Sequence, residues 1–162
     1  VLWSDHGFHL GEKDHIEKFA LWEKSNHVPF IVVAPGVTPP GSRCGVPIDL
    51  SGLYPTLLEL CGLSPDPKCD GLSLVPLLRN PKAAWNHPAL MTYGRGNHAV
   101  RSHRWRYIRY ADGSEELYDH ARDPNEWTNL ITGAVHADVI QEHRKWLPVK
   151  EAKPAPDMRR KR

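Results

Sequence analysis

Between residues 89 and 119 the chain changes character every second residue, and no other stretch limits the fold so tightly. Ala89-Leu90-Met91-Thr92-Tyr93, Ala99-Val100-Arg101 and Trp105-Arg106-Tyr107-Ile108-Arg109-Tyr110 read as strands rich in β-branched and aromatic residues. Asp112-Gly113, inside the turn 111–114, is a hairpin signal, because a tight hairpin turn needs backbone conformations that such residues tolerate. Glu116-Leu117-Tyr118-Asp119 is the returning strand, and the spacing predicts an antiparallel meander. Within the longest run Trp105, Tyr107 and Arg109 share one face, while Arg106, Ile108 and Tyr110 share the other. With Arg101 and Arg104 they could be read as a base-stacking stripe. The alternation splits them between two faces and the net charge is only +2, so no nucleic-acid partner is expected. One face is instead expected to lie against solvent, with Arg101, His98 or His103 available for a smaller role in ligand recognition. Val135, Val139, Ile140, Trp146 and Leu147 mark a helix over 134–147, ended by Pro148, that should pack on the meander.

The first half reads differently. Val28-Pro29-Phe30-Ile31-Val32-Val33-Ala34 is almost wholly apolar and closes at Pro35-Gly36, which predicts a buried strand of a parallel or mixed sheet. Val1-Leu2-Trp3 reads as the end of another buried strand. Residues 16–24 carry Ile16, Phe19 and Ala20 at helix-like spacing, predicting a short helix or a structured turn. Residues 51–61 form an amphipathic helix with Leu53, Leu57, Leu58 and Cys61 on one face. Pro55 falls in its first turn, where a missing N–H does least harm, and Gly62 ends it. Asp49 stands where a capping residue belongs. Residues 72–78 suggest a helical turn before Pro81.

Polar chemistry is concentrated at the start. Val1-Leu2-Trp3 gives way to Ser4-Asp5-His6-Gly7, and Gly7 allows the backbone to turn sharply. Ligands of open α/β sheets sit beyond the carboxyl ends of strands, so Asp5 and His6 could offer a carboxylate and an imidazole there. Taken singly, either residue also suits a turn or the surface. By pattern alone Lys13, Lys18 and Lys24 form a solvated face. A zinc site of His6, His9 and His15 fits poorly, since the first pair sits in a Gly-flanked loop rather than at i, i+4 on a helix. Cys44, Cys61 and Cys69 form no metal pattern and cannot all pair. With 40% hydrophobic and 25% charged residues the composition is that of a globular protein. No apolar run reaches the roughly 18 residues of a membrane span.

The order of short motifs then becomes informative. Ser4-Asp5-His6-Gly7, Leu10-Gly11-Glu12, Lys18, His27-Val28-Pro29-Phe30-Ile31-Val32 and Pro35-Gly36 are followed by Asp49-Leu50-Ser51-Gly52-Leu53-Tyr54-Pro55-Thr56-Leu57-Leu58. Val100-Arg101, Trp105-Arg106-Tyr107-Ile108, Glu116-Leu117-Tyr118-Asp119, Asp123-Pro124 and Asn129-Leu130 complete the set. Over residues 1–148 this resembles the second half of a sulfatase of the alkaline-phosphatase-like superfamily, most like its iduronate-2-sulfatase and choline-sulfatase-like members. The resemblance implies an α/β fold: the C-terminal part of a mixed sheet flanked by helices over 1–85, then a small α+β subdomain over 86–148. The remaining 149–162 is charged, holds Pro154 and Pro156, ends in a basic run and is expected to be disordered.

The resemblance also assigns roles. Asp5 and His6 match a pair at a divalent calcium site, Lys18 matches a lysine that contacts the sulfate, and Phe8 sits where relatives place a substrate-facing side chain. Calcium prefers oxygen, so Asp5 is the natural ligand, and His6 suits a hydrogen bond to substrate or nucleophile. Lys18 and the cation would offset charge developing on the sulfate oxygens. The family's nucleophile is a formylglycine made in a Cys-x-Pro-x-Arg setting. Cys44 precedes Gly-Val-Pro-Ile, Cys61 precedes Gly-Leu-Ser-Pro and Cys69 precedes Asp-Gly-Leu-Ser, so none fits. The expectation is therefore a C-terminal part of a sulfuric ester hydrolase acting on a sulfated small molecule or glycan. It would be inactive without an N-terminal portion of the same enzyme, and its location would be periplasmic, secreted or lysosomal. Phosphodiesterases and phosphonate hydrolases of the same superfamily are a second expectation, and a non-catalytic remnant a third.

Overall fold

Prolines, glycines and polar turn formers cut the first half into short pieces. The computed structural model describes residues 1–153, so most of the expected disordered tail lies outside them. β1 (Leu2–Trp3) stops at Ser4. β2 (His9–Leu10) and β3 (Ile16–Glu17) form a small antiparallel ribbon, with His9 opposite Glu17. α1 (Glu23–Asn26) is a single turn. The short helix or turn expected over 16–24 is thus a strand and a bend that lead into α1.

The long buried strand expected over 28–34 is not formed. Only β4 (Phe30–Ile31) is paired, antiparallel to β1, with Leu2 opposite Ile31 and Trp3 opposite Phe30. Ile31 and Val33 are 55% and 78% exposed. Pro29 and Pro35 cannot donate to a ladder, and Phe30 and Val32 are only half-buried. Leu2 and Trp3 are likewise exposed, contrary to the expectation of a buried end of strand.

α2 (Leu53–Leu60) follows a 3-10 turn at Leu50–Gly52. The Asp49 carboxylate accepts from Ser51 N at 3.1 Å, which is the expected cap, and also accepts from Leu90 N at 3.2 Å. Gly62, at φ 66°, ends the helix in the left-handed region that a side chain would disfavour. Thr56 then joins α2 to the segment before α3 (Val75–Arg79), accepting from Leu74 N at 2.8 Å and donating to Gly52 O at 2.5 Å.

The meander has the expected form. β5 (Ala89–Thr92), β6 (His98–Arg101), β7 (Trp105–Arg109) and β8 (Glu115–Asp119) lie side by side in that order, all antiparallel. Both faces are covered, so the expected solvent face does not exist. On one side Ala99, Ile108 and Tyr118 pack against Leu21 and Trp22. On the other Tyr107 and Leu117 pack against Ile140 of α4 (Ala137–Arg144), with Trp105 and Leu147 beside them. The cause lies in β7, which carries apolar bodies on both faces. Each of the wholly buried Val100, Ile108 and Leu117 contributes about 1.5–3 kcal/mol of transfer free energy. The helix expected over 134–147 begins as a 3-10 turn at Ala134–His136, and Val135 there faces solvent instead of the sheet. Among the described residues no helix is long and apolar enough to cross a membrane. Cys44, Cys61 and Cys69 are free thiols.

Candidate functional site

β1 delivers Ser4-Asp5-His6-Gly7 at its end, and the loop is held from both sides. Ser4 N donates to Pro29 O at 3.2 Å, and Ser4 Oγ donates to His6 O at 2.8 Å. Gly7 N donates to Ser25 O at 2.8 Å. A Cβ on Gly7 would sit 2.0 Å from the Lys24 carbonyl oxygen, so only glycine allows this loop to lie against α1.

That seating sets the His6 ring. Its Nδ1 is 2.7 Å from Gly7 O. A carbonyl only accepts, so Nδ1 carries the proton and Nε2 presents a lone pair. Lys18 Nζ donates to that Nε2 at 3.0 Å, from just beyond β3. Asp5 Oδ2 is 3.7 Å from the same nitrogen, and its side chain is 83% exposed. Phe8 follows, half-exposed. The structure therefore brings Asp5, His6 and Lys18 into one cluster, with an ammonium and a carboxylate both open to a ligand. Asp5 can offer an oxygen to a hard cation. His6 has both ring nitrogens engaged, Nδ1 by the Gly7 carbonyl and Nε2 by Lys18, so only Nε2 becomes open to a ligand, and only when Lys18 turns away.

A second cluster, invisible to pattern reading, lies beneath. Arg106 is 1% exposed and forms ion pairs with Glu23 and Glu126. Its Nε lies 2.6 Å from Glu126 Oε1, at an angle too bent for a hydrogen bond. Its Nη1 donates to Leu21 O at 2.9 Å. Glu126 Oε2 accepts from Glu23 N at 2.8 Å, and His120 Nε2 sits 2.8 Å from Glu126 Oε1. Lys13 Nζ donates to the Glu126 carbonyl at 2.6 Å and to Tyr118 Oη at 3.0 Å. Burial alone would raise the Glu23 carboxyl, but the Arg106 guanidinium outweighs it and holds the group below its ordinary value. Glu23, His120 and Glu126 are close enough together to hold a metal, the one such trio among the described residues. Arg106, together with Arg101 beside Glu23, already neutralises both carboxylates. The only sequence sign was an arginine at an inward-facing position of an apolar strand.

The zinc trio is not assembled, in line with its poor fit. His9 and His15 pack edge to face, 5.2 Å apart, and both meet Trp22, at 5.7 and 5.8 Å. Burial pushes the His9 imidazole below its ordinary value. His98 is also buried, between Thr92 Oγ1 at 2.9 Å and Glu151 Oε1 at 3.3 Å, which withdraws it from ligand recognition. Arg101 and His103 instead line an open cleft of about 750 Å³ beside α1.

Residues 11–153 match the family described as N-sulphoglucosamine sulphohydrolase, C-terminal. The chain belongs to this sulfatase family. A curated protein of Formosa agariphila named "Sulfatase" is 41% identical over 148 residues, 91% of this chain and 29% of that protein. A structure solved with its substrate, D-glucosamine-2-N,6-O-disulfate, has a TM-score of 0.74 at 25% identity, over 88% of this chain and 32% of that one. The phosphonate monoester hydrolase of Agrobacterium radiobacter has a TM-score of 0.68 at 28% identity, over 88% of this chain and 32% of that one. The chain thus spans about a third of the length of these proteins. The region matching the sulfatase family contains Lys18 and the whole buried ionic cluster, whereas Asp5, His6 and Phe8 precede it.

Proposed function

We propose that this chain is the C-terminal part of a sulfuric ester hydrolase and that Asp5, His6 and Lys18 are its share of the sulfate site. The observation that carries the reading is the hydrogen bond from Lys18 to His6, which joins positions 12 residues apart next to an open carboxylate. Sulfate ester hydrolysis builds charge on the leaving oxygen and the sulfate oxygens. A fixed ammonium beside them stabilises that charge more in the transition state than in the ground state. His6 positions the ammonium through Nε2, and that nitrogen can exchange a proton with the reacting group once Lys18 turns to the sulfate. Phe8 offers an apolar wall to the organic part of the ester.

Asp5 would supply one oxygen to a divalent cation, with calcium favoured by an oxygen-rich site. When bound, such a cation would polarise the sulfate oxygens. Calcium takes about six to eight oxygens, so the other ligands would come from a longer polypeptide. The nucleophile would come from there too, because no cysteine stands in a Cys-x-Pro-x-Arg setting. The chain alone would then be inactive. A relative structure whose substrate is a disulfated glucosamine supports a sulfated saccharide as substrate. The motif from Asp5 to Lys18 supports specificity of the iduronate-2-sulfatase kind.

The test is hydrolysis of p-nitrophenyl sulfate with calcium, by the chain alone and by the chain joined to a nucleophile-bearing sulfatase segment. Turnover is expected only in the joined form, and Lys18→Ala should lower it by about 10²-fold or more. Turnover by the chain alone would overturn the reading. A second reading, phosphonate or phosphodiester hydrolysis, is favoured by the likeness to a phosphonate monoester hydrolase. The same proteins assayed with p-nitrophenyl phenylphosphonate decide between the two.

A further inference from the structure

We propose that Lys13 is a positioning residue for the Asp5-His6-Lys18 cluster, a role that rests on the sulfate-site reading above. Its ammonium, held on the meander, sets where the ribbon of β2 and β3 presents Lys18 to His6.

The ribbon has the cluster at both ends. β2 begins just beyond Gly7, and Lys18 directly follows β3. Its strands pair through His9 opposite Glu17 and Leu10 opposite Ile16, and Leu10 and Ile16 are 80% and 72% exposed. Burial therefore does little to fix its outer face. The place of Lys18 depends on what holds the inner face and the turn.

The turn does not hold itself. Gly11, Lys13 and Asp14 have φ of 123°, 59° and 55°. Glycine adopts such angles freely and aspartate tolerates them, but a long side chain stays there only when its surroundings hold it. For Lys13 those surroundings are in the meander and the loop that follows it. Nζ donates to Glu126 O at 2.6 Å and to Tyr118 Oη at 3.0 Å. It also stands 4.8 Å from the ring centre of Trp22 and 4.6 Å from that of Tyr118, within the range of cation–π attraction.

The receiving groups are themselves fixed. Tyr118 Oη donates its one proton to Glu116 Oε2 at 2.7 Å, so toward Lys13 it can only accept. Trp22 Nε1 donates to the same carboxylate oxygen at 2.7 Å. Glu126 is also in the left-handed region, at φ 61°, and its carboxylate is paired with Arg106. One ammonium thus ties two left-handed turns together. His9 packs on the same inner face, edge to face with His15 and Trp22, but its Nε2 finds no hydrogen-bond partner. His9 adds packing, whereas Lys13 adds direction. A shift of the turn would move both strands, and the bond of 3.0 Å from Lys18 to His6 would move with them.

The test is the ring-nitrogen NMR signal of His6 in the whole chain, assigned by its absence in His6→Gln. Lys18→Ala supplies the position of an Nε2 that accepts nothing from Lys18. Lys13→Met keeps the stem and removes the ammonium, and should move the Nε2 signal most of the way to that position. Lys13→Arg keeps a cation with donors and should return it toward the wild type. Tyr118→Phe removes one acceptor and should give an intermediate signal. Lys24→Met removes a charge from neighbouring α1 and should leave the signal in place. A lysine that only stabilised the fold would lower the urea midpoint of Lys13→Met while the folded molecules kept their His6 signal. That result would overturn the proposal, and so would failure of Lys13→Arg to restore the signal or an equal shift in Lys24→Met. Should Lys13→Met not fold, an unmoved signal in Tyr118→Phe overturns it instead. In the joined form, Lys13→Met should lower kcat/KM for p-nitrophenyl sulfate roughly 10-fold or more, with Lys13→Arg recovering most of it. If turnover there ignores Lys18→Ala, the sulfate-site reading fails, and the His6 signal still decides whether Lys13 positions Lys18.

Discussion

Replacing Arg106 with methionine is expected to be the most damaging single change in this chain. The guanidinium is 1% exposed and stands between Glu23 and Glu126, whose side chains are 17% and 1% exposed. Methionine fills much of the volume, so the loss is electrostatic and not a cavity. Glu126 is left without its arginine, Glu23 keeps only Arg101, and the Leu21 carbonyl loses its donor. Breaking a buried ion pair from one side costs about 3–5 kcal/mol, because the remaining charge stays desolvated. Domains of this size have about 5–15 kcal/mol in total. With a urea m-value of about 2 kcal/mol/M, the midpoint should fall by about 1.5–2.5 M. Urea unfolding followed by tryptophan fluorescence is the assay, since Trp22 packs on the core of Leu21, Ile108 and Tyr118. Adding Glu126→Gln should return part of the lost stability, because it removes the uncompensated charge that causes the loss. A fall of less than about 1 kcal/mol, or a further loss on adding Glu126→Gln, would refute the reasoning.

Other consequences can be checked in the same way. Gly7→Ala forces a methyl onto the Lys24 carbonyl and loosens the bond to Ser25, costing about 2–4 kcal/mol from overpacking and the lost hydrogen bond; NMR shifts of His6 should move with it. Thr56→Val leaves Leu74 N without its buried partner, so thermal unfolding should show a loss of about 1–3 kcal/mol. Burial depresses the His9 and His143 imidazoles below the ordinary 6.5. The unfolded chain therefore takes up these protons first, and stability that is complete above pH 6.5 should decline as pH falls through the lowered values. His143→Gln should flatten that decline in urea midpoints between pH 7 and 5. A second loss should follow in more acid solution, as Asp119, held low by Arg104, and Glu23, held low by Arg106 against its burial, are protonated.

The candidate site was legible to the extent that it is local. Asp5 and His6 are adjacent, and Gly7 beside them marked a sharp turn. Lys18 could not be separated from Lys13 and Lys24 by pattern, because its partner is chosen by the bend between β3 and α1. Lys13 turned out to reach Glu126 and Tyr118, more than a hundred positions away, and Lys24 to border the cleft. The strand expected over 28–34 failed because apolar composition signals burial only where another layer supplies cover. Here Val33 and Ile31 stay exposed.

By itself the sequence determined what depends on near neighbours: the meander with its Asp112-Gly113 turn, the cap at Asp49, the stop at Gly62 and the packing side of α4. Periodicity and turn chemistry act over a few residues, so they can be read in one dimension. Tertiary structure alone decided that both faces of β7 are covered and that Arg106 is buried between Glu23 and Glu126. It also decided that Lys18 meets His6, and that α1 borders the Asp5-His6-Lys18 cluster on one side and an open cleft on the other. Those pairings join residues far apart in the chain. Their energies depend on burial and charge geometry, which exist only once the chain has folded.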